Sequence, residues 1–153
     1  MRCLRFVAAI ALLSSLLLGG CAKTASHGIT LEFWGIGREG LAVEQLLPAF
    51  ERAHPDIQVR VQQIPLNAAH EKLLTAYAGD SLPDLVQIGN TWIAEFVALH
   101  ALEPLGARVA HSGAIREDDY FASAWATNRI DGVLYGIPWY IDTRLLFYRV
   151  DLL

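Results

Sequence analysis

Residues 31–40, LEFWGIGREG, place glycines at 35, 37 and 40 where an apolar strand hands over to a helix. This G-x-G-x-x-G spacing is the one with which a backbone approaches a pyrophosphate. Its surroundings oppose that use. A dinucleotide fold needs an acid at the end of its second strand to take the ribose hydroxyl. Here that strand ends in Gln62, Gln63 and Ile64, and Asp56 stands at its opposite edge. Trp34 also sets a large ring directly before the first glycine, where a tight phosphate turn needs open backbone. The expectation is a chain without a nicotinamide or other cofactor.

The residues with chemical character instead gather in two patches. Trp34 lies at the exit of the first strand, and Asn90, Thr91 and Trp92 at the exit of the third. Ligands of open α/β sheets sit beyond the carboxyl ends of the strands. Aromatic rings with amide and hydroxyl groups between them suit a sugar, whose C–H faces stack and whose hydroxyls pair with planar polar groups. Trp34, at a loop entrance, is expected in the site; Trp92, in the first turn of its helix, fits core or site equally. The second patch is GIPWYIDTR, residues 136–144, with Trp139, Tyr140 and Asp142. Asp142 and Arg144 either bridge each other or offer an acceptor and a donor to a polyol.

Catalytic and metal chemistry finds no constellation. Glu117, Asp118 and Asp119 form the one acidic cluster, in an irregular polar stretch that reads as a solvated helix start with acids at the positive dipole end. An exported carbohydrate-active hydrolase, the alternative reading, needs two carboxylates flanking a bond. No G-x-S-x-G elbow occurs, and HEKLL at His70 lacks the second histidine of a zinc helix. The five histidines never take metal-ligand spacing, and His54 before Pro55 reads as a helix terminator. A structural or adhesive lipoprotein, the third reading, leaves the aromatic residues at strand exits unexplained.

The elements that position these residues follow from periodicity. Ile29, Leu31 and Phe33 alternate as a strand, and Val43, Leu46, Leu47, Phe50 and Ala53 recur at helical spacing over residues 40–54, ended by Pro55. IQVRVQQI is a half-buried strand. Asn67 is placed to cap a second helix carrying His70, Leu73, Leu74 and Tyr77, which Gly79 stops. DLVQIG reads as a central third strand, and Asn90 or Thr91 caps a third helix halted by Pro104. Residues 105–119 read as irregular, with a short helix over about 119–126. Asp131-Gly132 predicts a type I′ hairpin, and RLLFYRV a further strand. Strand–helix alternation of this kind gives an α/β fold with a mostly parallel sheet flanked by helices.

The first residues fix the compartment. Arg2 and Arg5 precede an apolar run too short to span a bilayer comfortably, ending in Leu18-Gly19-Gly20-Cys21, which reads as a lipobox with Cys21 expected to take the lipid, in preference to an ordinary cleaved signal with an incidental cysteine. Cys3 lies in the leader, so the mature chain has no thiol pair for a disulfide or a metal. Two of the 12 basic residues precede Cys21 and all 16 acidic ones follow it, which leaves an acidic exported domain without a nucleic-acid footprint.

In order, the lipobox LGGC, ITLEFWG, LLPAFERAHPDIQVRVQQIP, KLLTAYAGDSLPDLVQIGNTWIAEFVALHALEPL and DGVLYGIPWYIDTRLLFYRVDLL resemble the extracellular solute-binding proteins of bacterial ABC importers. The likeness is to the sugar-binding, maltose-binding-protein-like group. It implies a periplasmic-binding-protein-like lobe that belongs to a hinged, two-lobed receptor, monomeric, lipid-anchored outside the cytoplasmic membrane, delivering a sugar to membrane permease subunits. It implies a signal peptide of lipoprotein type over residues 1–20, a lipidated cysteine and tether over 21–28, and the N-terminal lobe over 29–142. Residues 143–153 would begin the crossover toward a second lobe missing from this sequence. By the same resemblance Trp34, Asn90–Trp92 and Trp139–Asp142 stand near the cleft, and the chain is expected to be a fragment.

Overall fold

A computed structural model describes residues 28–142 and 145–152. The leader, Cys21 with its expected lipid, most of the tether, Thr143 and the proposed partner Arg144 lie outside the described residues.

The alternating apolar positions of the first two segments become strands β1 (Ile29–Ile36) and β2 (Ile57–Ile64). They pair in parallel along their whole length, from Ile29 opposite Ile57 to Ile36 opposite Ile64. Glu32 and Arg60 face each other in this register and bridge at 3.3 Å. A short β3 (Leu85–Val86) adds on the other side of β1, also parallel, giving the order β2-β1-β3. β1 is therefore the central strand. The expected central place of DLVQIG is corrected: among the described residues β3 has β1 as its one neighbour and leaves Leu85 exposed.

Partners in a parallel register point to the same side of the sheet, so the two faces can be read from β1. Trp34, Ile36 and Ile64 join Leu73 and Phe96 in one core, covered by α2 (Ala69–Ala78) and α3 (Ile93–Ala98). Phe33, Gly35, Val61 and Gln63 face the opposite side, where α1 (Glu39–Ala53) begins. A Cβ on Gly35 would lie 2.8 Å from the Gly40 Cα, and one on Gly40 would lie 2.7 Å from the Gln63 Cγ. Gly37 turns between them at φ +67°. Two of the three glycines thus let a helix start lie directly on a strand, and the third makes the turn.

Several local expectations change. Asn67 does not cap α2: it lies in a single 3₁₀ turn (Leu66–Ala68), and the α2 N-cap is Ala68 without a side-chain bond. Neither Asn90 nor Thr91 caps α3, whose N-cap is Trp92. That helix ends well before Pro104, where His100 turns left-handed at φ 57° and the Ala101 N–H donates to the Phe96 carbonyl. Residues 105–119 are not irregular throughout, since α4 (Gly106–Ser112) occupies their start and a 3₁₀ turn (Glu117–Asp119) their end. No residue of α4 is buried, so it has no apolar stripe to mark it in sequence. The next helix, α5, is Ala122–Ala126.

The hairpin forms as expected: β4 (Arg129–Ile130) and β5 (Val133–Leu134) pair antiparallel around Asp131 and Gly132, both at positive φ. The strand expected from RLLFYRV does not. Residues 145–149 lack a partner among the described residues, and Leu146 and Phe147 are exposed.

Because a Cβ on Gly35 would meet the Gly40 backbone and one on Gly40 the Gln63 and Val61 side chains, Gly35→Ala and Gly40→Ala should each destabilise the chain by about 1–3 kcal/mol, as overpacking does. Urea unfolding should show a lower midpoint at unchanged slope. Gly106→Ala, with nothing within 4 Å of its new Cβ, should be neutral or stabilising by up to ~1 kcal/mol, because alanine is the better helix former.

Candidate ligand-binding cleft

A cleft of about 1190 Å³ runs along β3 and past the carboxyl ends of β1 and β3. It brings together Asn90, Thr91, Trp92, Trp139, Tyr140 and Asp142, residues that lie as much as 52 positions apart (90 to 142) in the chain. A smaller recess of about 590 Å³ continues from it past Trp139 and Tyr140 to Asp118, Asp119 and Phe121.

Trp34 is not among the lining residues. The loop-entrance placement is corrected, because β1 runs on through Gly35 to Ile36, paired there with Ile64. Trp34 is 9% exposed, sits in the core, and carries the Lys72 ammonium 4.6 Å above its ring. Its neighbour Phe33, on the other face, reaches the cleft instead and meets the Trp139 ring edge-on at 6.3 Å. An alternating strand exchanges the two roles with one step of register.

Trp92 does both things left open for it. It packs against the core and lines the cleft, lying on the Gly89 backbone with the His70 ring 5.0 Å away. His70 is itself held by Glu95, Nε2 to Oε2 at 2.6 Å. Asn90 and Thr91 are exposed and line the cleft, and among the described residues their side chains make no hydrogen bond.

Trp139 and Tyr140 are about half exposed, at 49% and 54%. Their rings meet edge-on at 6.0 Å. The Tyr140 hydroxyl donates to Glu39 Oε1 at 3.0 Å and accepts from Gln87 Nε2 at 3.3 Å. Gln87 is fixed in turn: its Oε1 accepts the Ile36 N–H at 2.7 Å, and its own N–H donates to the Trp34 carbonyl at 2.8 Å. Partial burial, then the hydrogen bond and negative charge of Glu39, hold the Tyr140 phenol above its ordinary pKa; the Gln87 bond opposes them and Asp142 adds a little.

Phe33, Gln87 and Glu39 were not among the residues expected here. Phe33 alternates one step from Trp34, Gln87 directly follows β3, and Glu39 is the acid in the first turn of α1. Only position in the fold distinguishes them. The charge of the cleft is one-sided: among its described lining residues Asp84, Glu103 and Asp142 are acidic and none is lysine or arginine. Of the acidic cluster, Glu117 is tied to Arg129 at 2.8 Å, while Asp118 and Asp119 border the recess.

Comparison with known proteins agrees with this architecture. The family model of bacterial extracellular solute-binding proteins matches residues 34–153. The solved structure of the sugar-binding protein MalE from the phytopathogen Xanthomonas citri is 55% identical, with a TM-score of 0.74 over 80% of this chain and 31% of that one. The galactooligosaccharide-binding protein of Bacillus subtilis is 26% identical over 86% of this chain and 30% of its own length. An uncharacterized lipoprotein of Streptomyces antibioticus is 27% identical over 89% of this chain and 31% of its own. The chain thus spans about a third of the length of the curated relatives it matches. By the model match across most of its length, the chain belongs to the bacterial extracellular solute-binding proteins.

Proposed function

We propose that this chain contributes the ligand-contacting lobe of a lipoprotein receptor that captures a sugar or oligosaccharide outside the cytoplasmic membrane and passes it to the membrane subunits of an ABC permease. The observation that carries the reading is the cleft itself. Trp139 and Phe33 offer apolar surface to a pyranose face, and Asn90, Thr91 and Asp142 offer donors and acceptors to its hydroxyls. The similarity to MalE of Xanthomonas citri and to the galactooligosaccharide-binding protein of Bacillus subtilis supports a sugar over other small solutes.

The one-sided charge narrows the ligand. Among the described residues the lining holds no lysine or arginine, and apart from Asp84, which accepts the Glu32 N–H, its carboxylates Glu103 and Asp142 suit neutral hydroxyls better than another carboxylate or a phosphate. A neutral sugar is therefore the expected ligand and an acidic one is not. In this reading the ligand leaves unchanged, in keeping with membership of a solute-binding family. Cys21 carries the lipid that holds the receptor at the membrane, in keeping with the lipoprotein of Streptomyces antibioticus.

Titration of the complete gene product with a panel of neutral sugars, followed by tryptophan fluorescence, should give a saturable shift with the sugar recovered intact. Trp139→Ala should weaken binding about tenfold, the ~1.4 kcal/mol that truncating a well-placed aromatic removes. Recovery of cleaved sugar would replace a receptor with an enzyme. In the same assay a neutral hexose should compete and the matching uronic acid should not. Equal binding of the two would remove the argument from cleft charge.

A further inference from the structure

The wall of the cleft that bears Trp139 is an irregular stretch, residues 136–142, without helix or strand. Such a segment gains no order from a hydrogen-bond ladder, so whatever holds its side chains must do so individually. Upstream, the Tyr135 N–H donates to the Asn128 carbonyl at 2.9 Å. Within the stretch, among the described residues, the hydrogen bonds to the rest of the molecule are those of one group, the Tyr140 hydroxyl.

That hydroxyl joins three elements that are remote in sequence. Gln87 beyond β3 is 53 residues away, and Glu39 at the start of α1 is 101 away. The chain of bonds runs in one direction. The Ile36 N–H donates to Gln87 Oε1, Gln87 Nε2 donates to Tyr140, and Tyr140 donates to Glu39. The Tyr140 proton is committed to the carboxylate, and one of its lone pairs to the amide. Such aligned bonds reinforce one another, and the last ends on a charged acceptor.

We propose that Glu39 and Gln87 are positioning residues, which clamp the Tyr140 hydroxyl and so hold Trp139 and Tyr140 as a pre-ordered aromatic wall that meets the ligand with its rings. The proposal rests on the sugar-binding reading for its ligand and on the geometry above for the clamp. It assigns Tyr140 a different part from that of a hydroxyl donor to sugar. Its ring and Trp139 make the contact, and its oxygen faces inward to α1 and β3. Ordering an irregular segment on binding lowers affinity, and a clamp formed beforehand offsets that loss.

The test combines Tyr140→Phe, Glu39→Ala, their double variant and Glu39→Gln in the complete gene product. Tyr140→Phe keeps the ring and removes the bonds; it and Glu39→Ala should each weaken neutral-sugar binding about fivefold, in the range set by the net worth of one ordinary hydrogen bond. The double variant should be no weaker than either single one, because both break the same clamp. Glu39→Gln retains an amide acceptor and should recover most of the affinity.

A spectroscopic arm reads the clamp without sugar. In ultraviolet titration the parent protein should show a late-ionising tyrosine component from Tyr140. That late component should be absent from Tyr140→Phe and shifted toward the ordinary phenol range in Glu39→Gln. Folding raises this pKa, so the clamp's contribution to stability is complete below the ordinary phenol pKa and is lost as pH rises through the raised one.

Iodide should quench Trp139 fluorescence more readily in Tyr140→Phe and Glu39→Ala than in the parent. Affinity unchanged while thermal stability falls, or losses that multiply in the double variant, would overturn the positioning role. If the parent binds no sugar, the functional reading fails by itself, and the titration and quenching still decide whether the clamp orders the wall.

Discussion

The structure depends on the close approach of two backbones at Gly35 and Gly40. A methyl group on either would collide, with the neighbouring glycine or with the Gln63 side chain. Because that space is kept empty, α1 begins directly against the buried end of β1 rather than a side chain's width away. The start of α1 carries Glu39, and the end of β1 carries the Ile36 N–H that Gln87 accepts. The spacing between strand and helix therefore fixes the distance between the two groups that grip Tyr140. A packing constraint at the centre of the fold is converted into the position of a residue on the rim of the cleft.

The same arrangement explains why the two faces of β1 serve different ends. Trp34 and Ile36 face α2 and α3 and build the core, while Phe33 and Gly35 face α1 and the Trp139 segment. A parallel sheet covered on both faces allows this division, because each strand residue is committed to one layer by its parity. The central position of β1 then puts its carboxyl end within reach of both neighbours, and the cleft opens there. His70 and Glu95 extend the scheme to Trp92, whose ring lies between the Gly89 backbone and the histidine. The cleft's aromatic residues are thus supported from behind by polar pairs or by bare backbone, which leaves their outer faces to a ligand.

Much of this was legible in the sequence, and the limits have physical causes. The strict alternation of IQVRVQQI delimits β2 at Ile57–Ile64, and Asp131-Gly132 marks a turn that needs two positive φ values. These signals are local and hold whatever the rest of the chain does. Six of the seven residues expected near a ligand line one cleft: Asn90, Thr91 and Trp92 follow a parallel strand, a topological location that periodicity can find, while Trp139, Tyr140 and Asp142 were marked by residue type alone. Trp34 was misplaced by a single step, because nothing local shows that β1 continues past its glycine until Ile64 is known to pair with Ile36. Helix α4 was missed because an exposed helix leaves no apolar stripe. The helix caps differed because Ala68 and Trp92 occupy positions for which better capping residues stood one or two places away. The clamp on Tyr140 was out of reach altogether: partners 53 and 101 residues away carry no spacing signal.

The glycine pattern shows most directly what a short motif does and does not contain. Its physical content is permission for backbones to approach and a turn at positive φ, and both are used here. In a dinucleotide fold the space so made, at a helix N-terminus, receives a phosphate. Here the first turn of α1 holds an acid of its own, Glu39, with Oε2 only 2.9 Å from where a Cβ on Gly37 would stand. A carboxylate at the positive end of a helix takes up the dipole that would otherwise attract an anion, and its charge repels one. The same Glu39 then accepts the hydrogen bond of the Tyr140 hydroxyl. What the glycines opened is filled from within, by a side chain that turns an anion-binding geometry into a support for a neutral, aromatic wall.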